Sequence, residues 1–347
     1  MEPEYLESIP VSLIGGSGYT GGELIRLLSS HPNFKLIEIV ANRSVGKKVE
    51  EVFPHLRHLN LTTFISFEDL NFSKAKLIFC ALPHATSQEI IKKIPSGIKI
   101  IDLSADFRLS DTNAYEKWYK KGHIAKDLQK HAVYGLSEFY RAEIEKAKII
   151  ACTGCNAAAS LFPLLPLLKR KIIDISHVTI SLGAGVSGAG RVAKDNIIHS
   201  EVSEGTKPYN VGTHRHIAEL NQEFSKVQSK KIDVTLIPHL LPQNRGIIVS
   251  IPLDYSANSI HEALNEYYRN EAFVIVLPIG HIPATHHVRG SNYCHIGVVE
   301  DNNSKRCILF SAIDNLVKGS SGQAIQNANI SFGIDETAGL LESPIFP

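Results

Sequence analysis

The amino-acid sequence predicts a two-domain α/β protein: a doubly wound, mostly parallel sheet with a nucleotide-binding loop, then an α+β domain. Three observations predict it. Short, continuous apolar runs alternate with helical patterns through the first half, as parallel strands covered on both faces do. A glycine-spaced loop joins the first run to the first helical pattern. Beyond about residue 155 the strands become longer and partly alternating, and 347 residues exceed the usual size of one core.

In order, "VSLIGG" (11–16), "KLIEIVA" (35–41), "KLIFCALP" (76–83), "IKIIDLSA" (98–105) and "KIIACTG" (148–154) read as buried strands. Between them, "GGELIRLLSSHP" (21–32) and "ATSQEIIKKIP" (85–95) have helical spacing and stop at proline. The second domain is expected from "HVTISLGAGVSGAG", "DVTLIPHLLPQNRGIIVSIPLDY", "FVIVLP", "YCHIGVVED" and "CILFSAI", a mixed or antiparallel sheet, with one clear helix at 259–270. The stretch "DNLVKGSSGQAIQNANISFG" (314–333) is again helix-like and is expected to return to the first domain. The expected division is therefore 1–154, completed by 314–347, and 155–313.

Charge excludes some partners. With 36 basic and 35 acidic residues the net charge is +1, so the concentrated basic face that nucleic acid or an anionic membrane requires is not expected. The N-terminus has acidic residues where a signal peptide has basic ones, and the most apolar window, 157–168, is too short to span a bilayer. Five cysteines without framework spacing point to reduced thiols and a cytoplasmic setting.

The loop "SLIGGSGYTGGELIRLL" places Gly15, Gly18 and Gly21 between strand and helix, with Ser17, Tyr19 and Thr20 among them. Glycines there permit a tight turn and close approach of backbone to a pyrophosphate at a helix N-terminus. After the second strand, Ala41, Asn42 and Arg43 stand where a cofactor without a 2′-phosphate usually meets a carboxylate. An arginine with small polar neighbours suits that phosphate, so the expected cofactor is NADP(H), with Arg43 as its partner.

Cys152 and Cys155 form a C-x-x-C that admits three readings: a dithiol, half of a metal site, or one nucleophile with a bystander. The flanks are not those of a redox motif. A zinc site would need a second pair, whereas Cys80, Cys294 and Cys307 are scattered, so no metal is expected. "KIIACTG" ends a strand and "CNAAASLFPLL" starts a helix, which puts Cys155 where unpaired N–H groups and the helix dipole favour a thiolate. "THRHIAE" supplies His214 and His216 for proton transfer, with Glu219 to orient one of them. Both histidines share a face if the segment is extended.

"GGSGYTGGELIRLL", "CALPHATSQ", "IDLSADFRL", "VYGLSEFYR", "GVSGAGR", "VGTHRHIAEL", "IPHLLPQNRGI", "VRGSN", "SAIDNLVKGSSGQAIQNAN" and "FGIDETAGL" resemble, nearly end to end, the N-acetyl-γ-glutamyl-phosphate reductases of arginine biosynthesis. That family lies within the semialdehyde dehydrogenase superfamily. The resemblance implies a Rossmann-like NADP-binding domain, reduction of an acyl phosphate through a Cys155 thioester, and acid–base work by His214 or His216. It also implies a homodimer or homotetramer. Carboxylate and phosphate recognition falls to Arg108, Ser187, Gly188 and Arg191, with Arg215 and Arg245 as further candidates, and Asn315 lies near the nicotinamide.

One departure is local. The family usually has Asn-Pro-Gly-Cys-Tyr-Pro-Thr around the nucleophile, and this chain has Cys152-Thr153-Gly154-Cys155-Asn156-Ala157-Ala158. Asparagine after the cysteine resembles reductases acting on aminoadipyl or glutamyl phosphates held by a LysW-type amino-group carrier protein. "GVSGAGR" and "VGTHRH" resemble the acetylated-substrate branch instead. A non-enzymatic NADP-binding sensor is the reading from a different class; it would need the glycine loop but neither Cys155 nor the His-Arg-His triplet.

Overall fold

The structure, a computed structural model, describes residues 8–304 and 306–346. The acidic residues 1–7 read above as no signal peptide, with Lys305 and Pro347, lie outside the described residues. The chain forms two compact units: one runs to Thr153 and takes back Ser320–Leu341, and the other holds Gly154–Gly319 and the residues from Glu342. The return begins at Ser320 rather than 314 for a local reason. Asp314 and Asn315 accept hydrogen bonds from the Gly290 and Gly246 amides inside the second unit, at 2.7 and 2.8 Å.

In the first unit the chain makes β1 (Ile9–Ile14), α1 (Tyr19–Ser29), β2 (Phe34–Val40), α2 (Val49–Val52), β3 (Phe64–Ile65), β4 (Leu77–Cys80), α3 (Ser87–Ile91) and β5 (Lys99–Asp102). It continues through α4 (Thr112–Tyr119), α5 (Lys126–Gln129), β6 (Ala132–Gly135), α6 (Ser137–Lys146) and β7 (Ile149–Cys152). The seven strands are parallel, in the order β3-β2-β1-β4-β5-β7-β6. Their apolar runs are buried on both faces: Leu13, Ile39, Phe79, Ile101 and Ile150 expose nothing. Each such side chain contributes roughly 1.5–3 kcal/mol of burial. α1 covers the sheet with Leu24, Ile25, Leu27 and Leu28. Strand order changes direction between β1 and β4, and β1 ends there in the glycine loop. Ligands of open α/β sheets bind at such a switch point, beyond the strands' carboxyl ends.

The second unit opens with α7 (Cys155–Lys169) and β8 (His177–Gly185), followed by α8 (His199–Val202), β9 (Lys207–Pro208), α9 (His216–Gln228), β10 (Asp233–Leu241) and β11 (Ile247–Leu253). Then come α10 (Ala257–Tyr268), β12 (Val274–Val276), β13 (Cys294–Glu300) and β14 (Cys307–Ile313). The sheet order is β12-β13-β14-β11-β8-β10-β9, with β8 and β10 parallel, β12 and β13 parallel, and the remaining pairs antiparallel. It is the mixed sheet with a helical face that the sequence led us to expect.

α7 is apolar all round, as a helix at the centre of a unit must be, and it packs against α9, α10 and the sheet. Pro166 cannot donate to the carbonyl of Phe162 one turn back. The Tyr268 hydroxyl donates to that oxygen instead, at 2.6 Å. No helix among the described residues is long and apolar enough to cross a membrane.

A π-helical turn, Val317–Ser321, leads into α11 (Gly322–Ser331), which completes the first unit with an unusually polar buried face. Asn327 donates to Gly135 O at 2.9 Å and accepts from Ser137 Oγ at 2.7 Å. Gln323 donates to the same Ser137 Oγ at 2.8 Å. These amides replace apolar packing with directed bonds, each costly to leave unmade in the interior.

Candidate active site

Cys155 is the first residue of α7, and Gly154 caps that helix in extended conformation, φ −71° and ψ 141°. The cap is closely surrounded. Gly154 N donates to Glu219 Oε2 at 2.9 Å, and Glu219 is fully buried. A Cβ at position 154 would overlap His216 Nε2 and stand 2.7 Å from Glu219 Oε1. On the thiol's other side, a Cβ at Gly319, in the π-helical turn, would stand 2.8 Å from Cys155 Cβ. Two missing side chains therefore let the imidazole and the turn close on the nucleophile.

The two histidines differ. The segment is not extended: α9 begins at His216, because Ile217, Leu220 and Phe224 recur at helical spacing and are buried together. His216 Nε2 lies 3.9 Å from Glu219 Oε1, and its side chain remains partly exposed. His214 precedes the helix and is buried. Its Nδ1 accepts the His216 backbone N–H at 3.1 Å. Burial first, and the Arg215 cation second, push its pKa down to about 4, so the ring is neutral at ordinary pH. Asn156 lies between this ring and the sulfur: Oδ1 is 3.7 Å from Cys155 Sγ, and Nδ2 is 3.2 Å from the Tyr209 hydroxyl and 3.4 Å from His214 Nε2. No sequence motif marks Tyr209, which is distant from Asn156 along the chain.

Cys152 is different in kind. It is buried at the end of β7, receives a hydrogen bond from Asn327 Nδ2 at 3.6 Å, and desolvation pushes its pKa up to about 12. Burial thus disfavours the thiolate form of Cys152. Among the described residues no group of three or more His, Cys, Asp or Glu is arranged to hold a metal ion.

The expected substrate residues fall into three settings. Arg108 is buried in the first unit, its guanidinium donating to Cys152 O at 2.6 Å and Leu103 O at 3.0 Å, so it fixes the end of β7. Arg245 pairs with the buried Asp314 at 3.4 Å. Arg191, Arg215 and Gly188 are exposed. Asn315, expected beside the nicotinamide, uses both ends of its amide inside the second unit: Oδ1 accepts from Gly246 N at 2.8 Å and Nδ2 donates to Ser187 Oγ at 2.9 Å. It thereby ties the "GVSGAGR" loop to the "QNRG" turn.

In the first unit the glycine loop turns tightly between β1 and α1. Gly15 has φ +89°, and a Cβ there would strike Ala81 O, so the loop can turn only with glycine. Gly18 caps α1 with φ −82° and ψ 175°, and nothing lies within 4 Å of where its Cβ would be. Open space before a helix N-terminus, reached by bare backbone, is chemically suited to an anion. Ser17, Tyr19 and Thr20 line that end. Ser321 Oγ donates to Thr20 O at 3.1 Å, so the returning segment steadies the loop, a contribution sequence spacing could not reveal. Ala41 is buried, while Asn42 and Arg43 form an exposed short turn at the end of β2.

Fold and site together define an oxidoreductase of the semialdehyde dehydrogenase class that uses a nicotinamide cofactor. Residues 10–147 match the semialdehyde dehydrogenase NAD-binding domain, and residues 155–315 match the dimerisation domain of the same enzymes. The N-acetyl-gamma-glutamyl-phosphate reductase of Cereibacter sphaeroides is 51% identical over 338 residues, 97% of this chain and 99% of the relative. That of Ruegeria pomeroyi is 49% identical over the same coverage. The chain belongs to the N-acetyl-γ-glutamyl-phosphate reductase family. Among solved structures, aspartate semialdehyde dehydrogenase II of Vibrio cholerae shares the fold at a TM-score of 0.70 and 16% identity, over 94% of this chain and 99% of that one. The Candida albicans aspartate semialdehyde dehydrogenase, solved with NADP, does so at 0.70 and 19%, over 93% and 98%.

Proposed function

We propose that the chain reduces N-acetyl-L-glutamyl 5-phosphate to N-acetyl-L-glutamate 5-semialdehyde and phosphate, with NADPH, through a thioester on Cys155. The observation that carries this reading is the nucleophile's setting: a thiol at a helix N-terminus whose glycine cap is bonded to Glu219 and overlain by His216. The substrate class comes from the named relatives.

The residues supply the steps in turn. The Cys155 sulfur attacks the acyl carbonyl, a C–S bond forms, and the C–O bond to phosphate breaks. His216 Nε2 takes the sulfur proton and passes it to the departing phosphate, with the Glu219 carboxylate 3.9 Å from that nitrogen. The first amides of α7 face the oxyanion that forms in this step, a type of contact typically worth about 3 kcal/mol. Bound reduced nicotinamide supplies the hydride. The thioester carbon receives it, and the thiohemiacetal collapses to the aldehyde with return of the electron pair to sulfur. His214, neutral and hydrogen-bonded, orients its neighbours rather than titrating.

Arg43 is the partner of the 2′-phosphate in this reading, which makes NADPH rather than NADH the reductant. Arg191 and Arg215, both exposed, suit recognition of the anionic substrate ends. The match to a dimerisation domain supports a homodimer or homotetramer. Five free thiols among the described residues suit the reducing cytoplasm.

One assay tests the reading. Wild type and Cys155→Ser are compared for phosphate release and NADPH oxidation with free N-acetylglutamyl phosphate, and NADH is run beside NADPH. Loss on the order of 10⁴-fold or more in the variant, with cofactor binding retained, is expected. Undiminished turnover in Cys155→Ser overturns the thioester route, and equal rates with the two cofactors remove the role of Arg43.

A further inference from the structure

The residue after the nucleophile, where this chain departs from its family's usual tyrosine, is part of a hydrogen-bonded chain that ends at the sulfur. The chain begins at the His216 backbone N–H, which donates to His214 Nδ1 at 3.1 Å. A neutral imidazole carries one proton, and a ring whose Nδ1 accepts carries it on Nε2. His214 Nε2–H then points at the Asn156 amide, 3.4 Å from Nδ2. With Oδ1 turned to the thiol, two donors face each other there. The Tyr209 hydroxyl, 3.2 Å from the same Nδ2, also has a proton to give, since burial keeps the phenol protonated to about 12.

In the observed orientation that hydroxyl accepts from Nδ2, so the conflict lies with the ring alone, and a half-turn of the amide about its bond to Cβ resolves it. Oδ1 then accepts from His214 Nε2–H and from the Tyr209 hydroxyl, and Nδ2–H donates towards Cys155 Sγ. The two orientations suit two states of the sulfur. A thiol donates its proton to Oδ1, while a thiolate accepts from Nδ2–H. We propose that Asn156 is a catalytic residue that stabilises the Cys155 thiolate by amide donation, and that His214 and Tyr209 are positioning residues that hold the amide in the donating orientation.

This rests on the proposed role of Cys155 as nucleophile, yet it concerns the sulfur itself and needs no substrate. The charged and titratable groups packed around this corner are Tyr209, His214, Arg215, His216 and Glu219, with Lys318 on the turn that carries Gly319. All of them remain in the variants below, so their common influence cancels in the comparison.

The test is the pH dependence of Cys155 alkylation by iodoacetamide in the full-length protein without substrate. Asn156→Ala should raise the midpoint by about one pH unit, since a hydrogen bond to a charged group is lost. Asn156→Asp, of the same shape but unable to donate when ionised, should raise it further. An unchanged midpoint in folded Asn156→Ala overturns the proposal. Should the variants fail to fold, wild type labelled with ¹⁵N-asparagine decides: one side-chain amide must shift with the thiol midpoint, and must stop shifting in Cys155→Ser. The absence of any such amide overturns the proposal equally. A chain inactive on acyl phosphate can still pass these titrations, and an active one can fail them.

Discussion

α1 and α7 start in the same way and are put to opposite uses. Each is capped by glycine in extended conformation, Gly18 and Gly154, and neither cap has a side-chain hydrogen bond. At Gly18 the surroundings are open to 4 Å, so the helix amides remain for an anion from outside. At Gly154 a histidine, a buried carboxylate and, beyond the cysteine, Gly319 close in on the helix start. The same backbone device stands open at α1 and is crowded by side chains at α7. Glycine is required by distance at α7, where the protein's own imidazole stands against it, whereas at α1 no protein atom demands it.

Substitution by alanine should separate the two ends. Gly154→Ala forces His216 and Glu219 away from the nucleophile, and a displacement near 1 Å at reacting groups costs about 100-fold in rate. Steady-state kinetics should show that loss in kcat with the KM for cofactor unchanged; a full rate would erase the contrast. Gly18→Ala meets no protein atom, so kcat and melting temperature should hold. The methyl group occupies the anion's approach, and the KM for cofactor should rise about tenfold, equivalent to about 1.4 kcal/mol. An unaffected KM means that the open end holds no phosphate.

The smallest effect belongs to acid stability at the crowded end. His214 has its folded pKa lowered from 6.5 to about 4, so the unfolded chain binds a proton that the folded one refuses between those values. Stability present above about pH 6.5 is therefore lost as pH falls towards 4. Calorimetry of His214→Gln across this window should show a shallower fall in melting temperature than wild type, by roughly 2–4 °C. Parallel curves would show that the buried ring does not contribute to the acid limb.

Continuous apolar runs made five strands of the first sheet readable, and the glycine loop with them, because burial on both faces leaves no other pattern. β3 and β6 escaped notice: two residues and "AVYG" are too short to show a period. The start of α9 was legible in Ile217, Leu220 and Phe224 but was obscured by the alternating His-Arg-His, which suggested an extended segment. Cys155 and Glu219 could be identified because a helix start and an i+3 carboxylate are local facts. Tyr209, Gly319 and Ser321 could not, since each reaches its partner across a long stretch of chain and only the fold supplies that proximity. Arg108 shows the reverse limit: a motif marked it as important, while the structure shows that its guanidinium holds the Cys152 and Leu103 carbonyls.

The path of the chain bears on how the protein is made. Residues 320–341 belong to the unit that begins the sequence, and the amides of α11 satisfy Gly135, Ser137 and Cys152, which emerge from the ribosome far earlier. During synthesis, which commonly folds units in order from the N-terminus, those groups emerge before α11 and lack these partners until it follows. A chain interrupted before Gly322 would lack α11, and with it the partners of Gly135, Ser137 and Cys152.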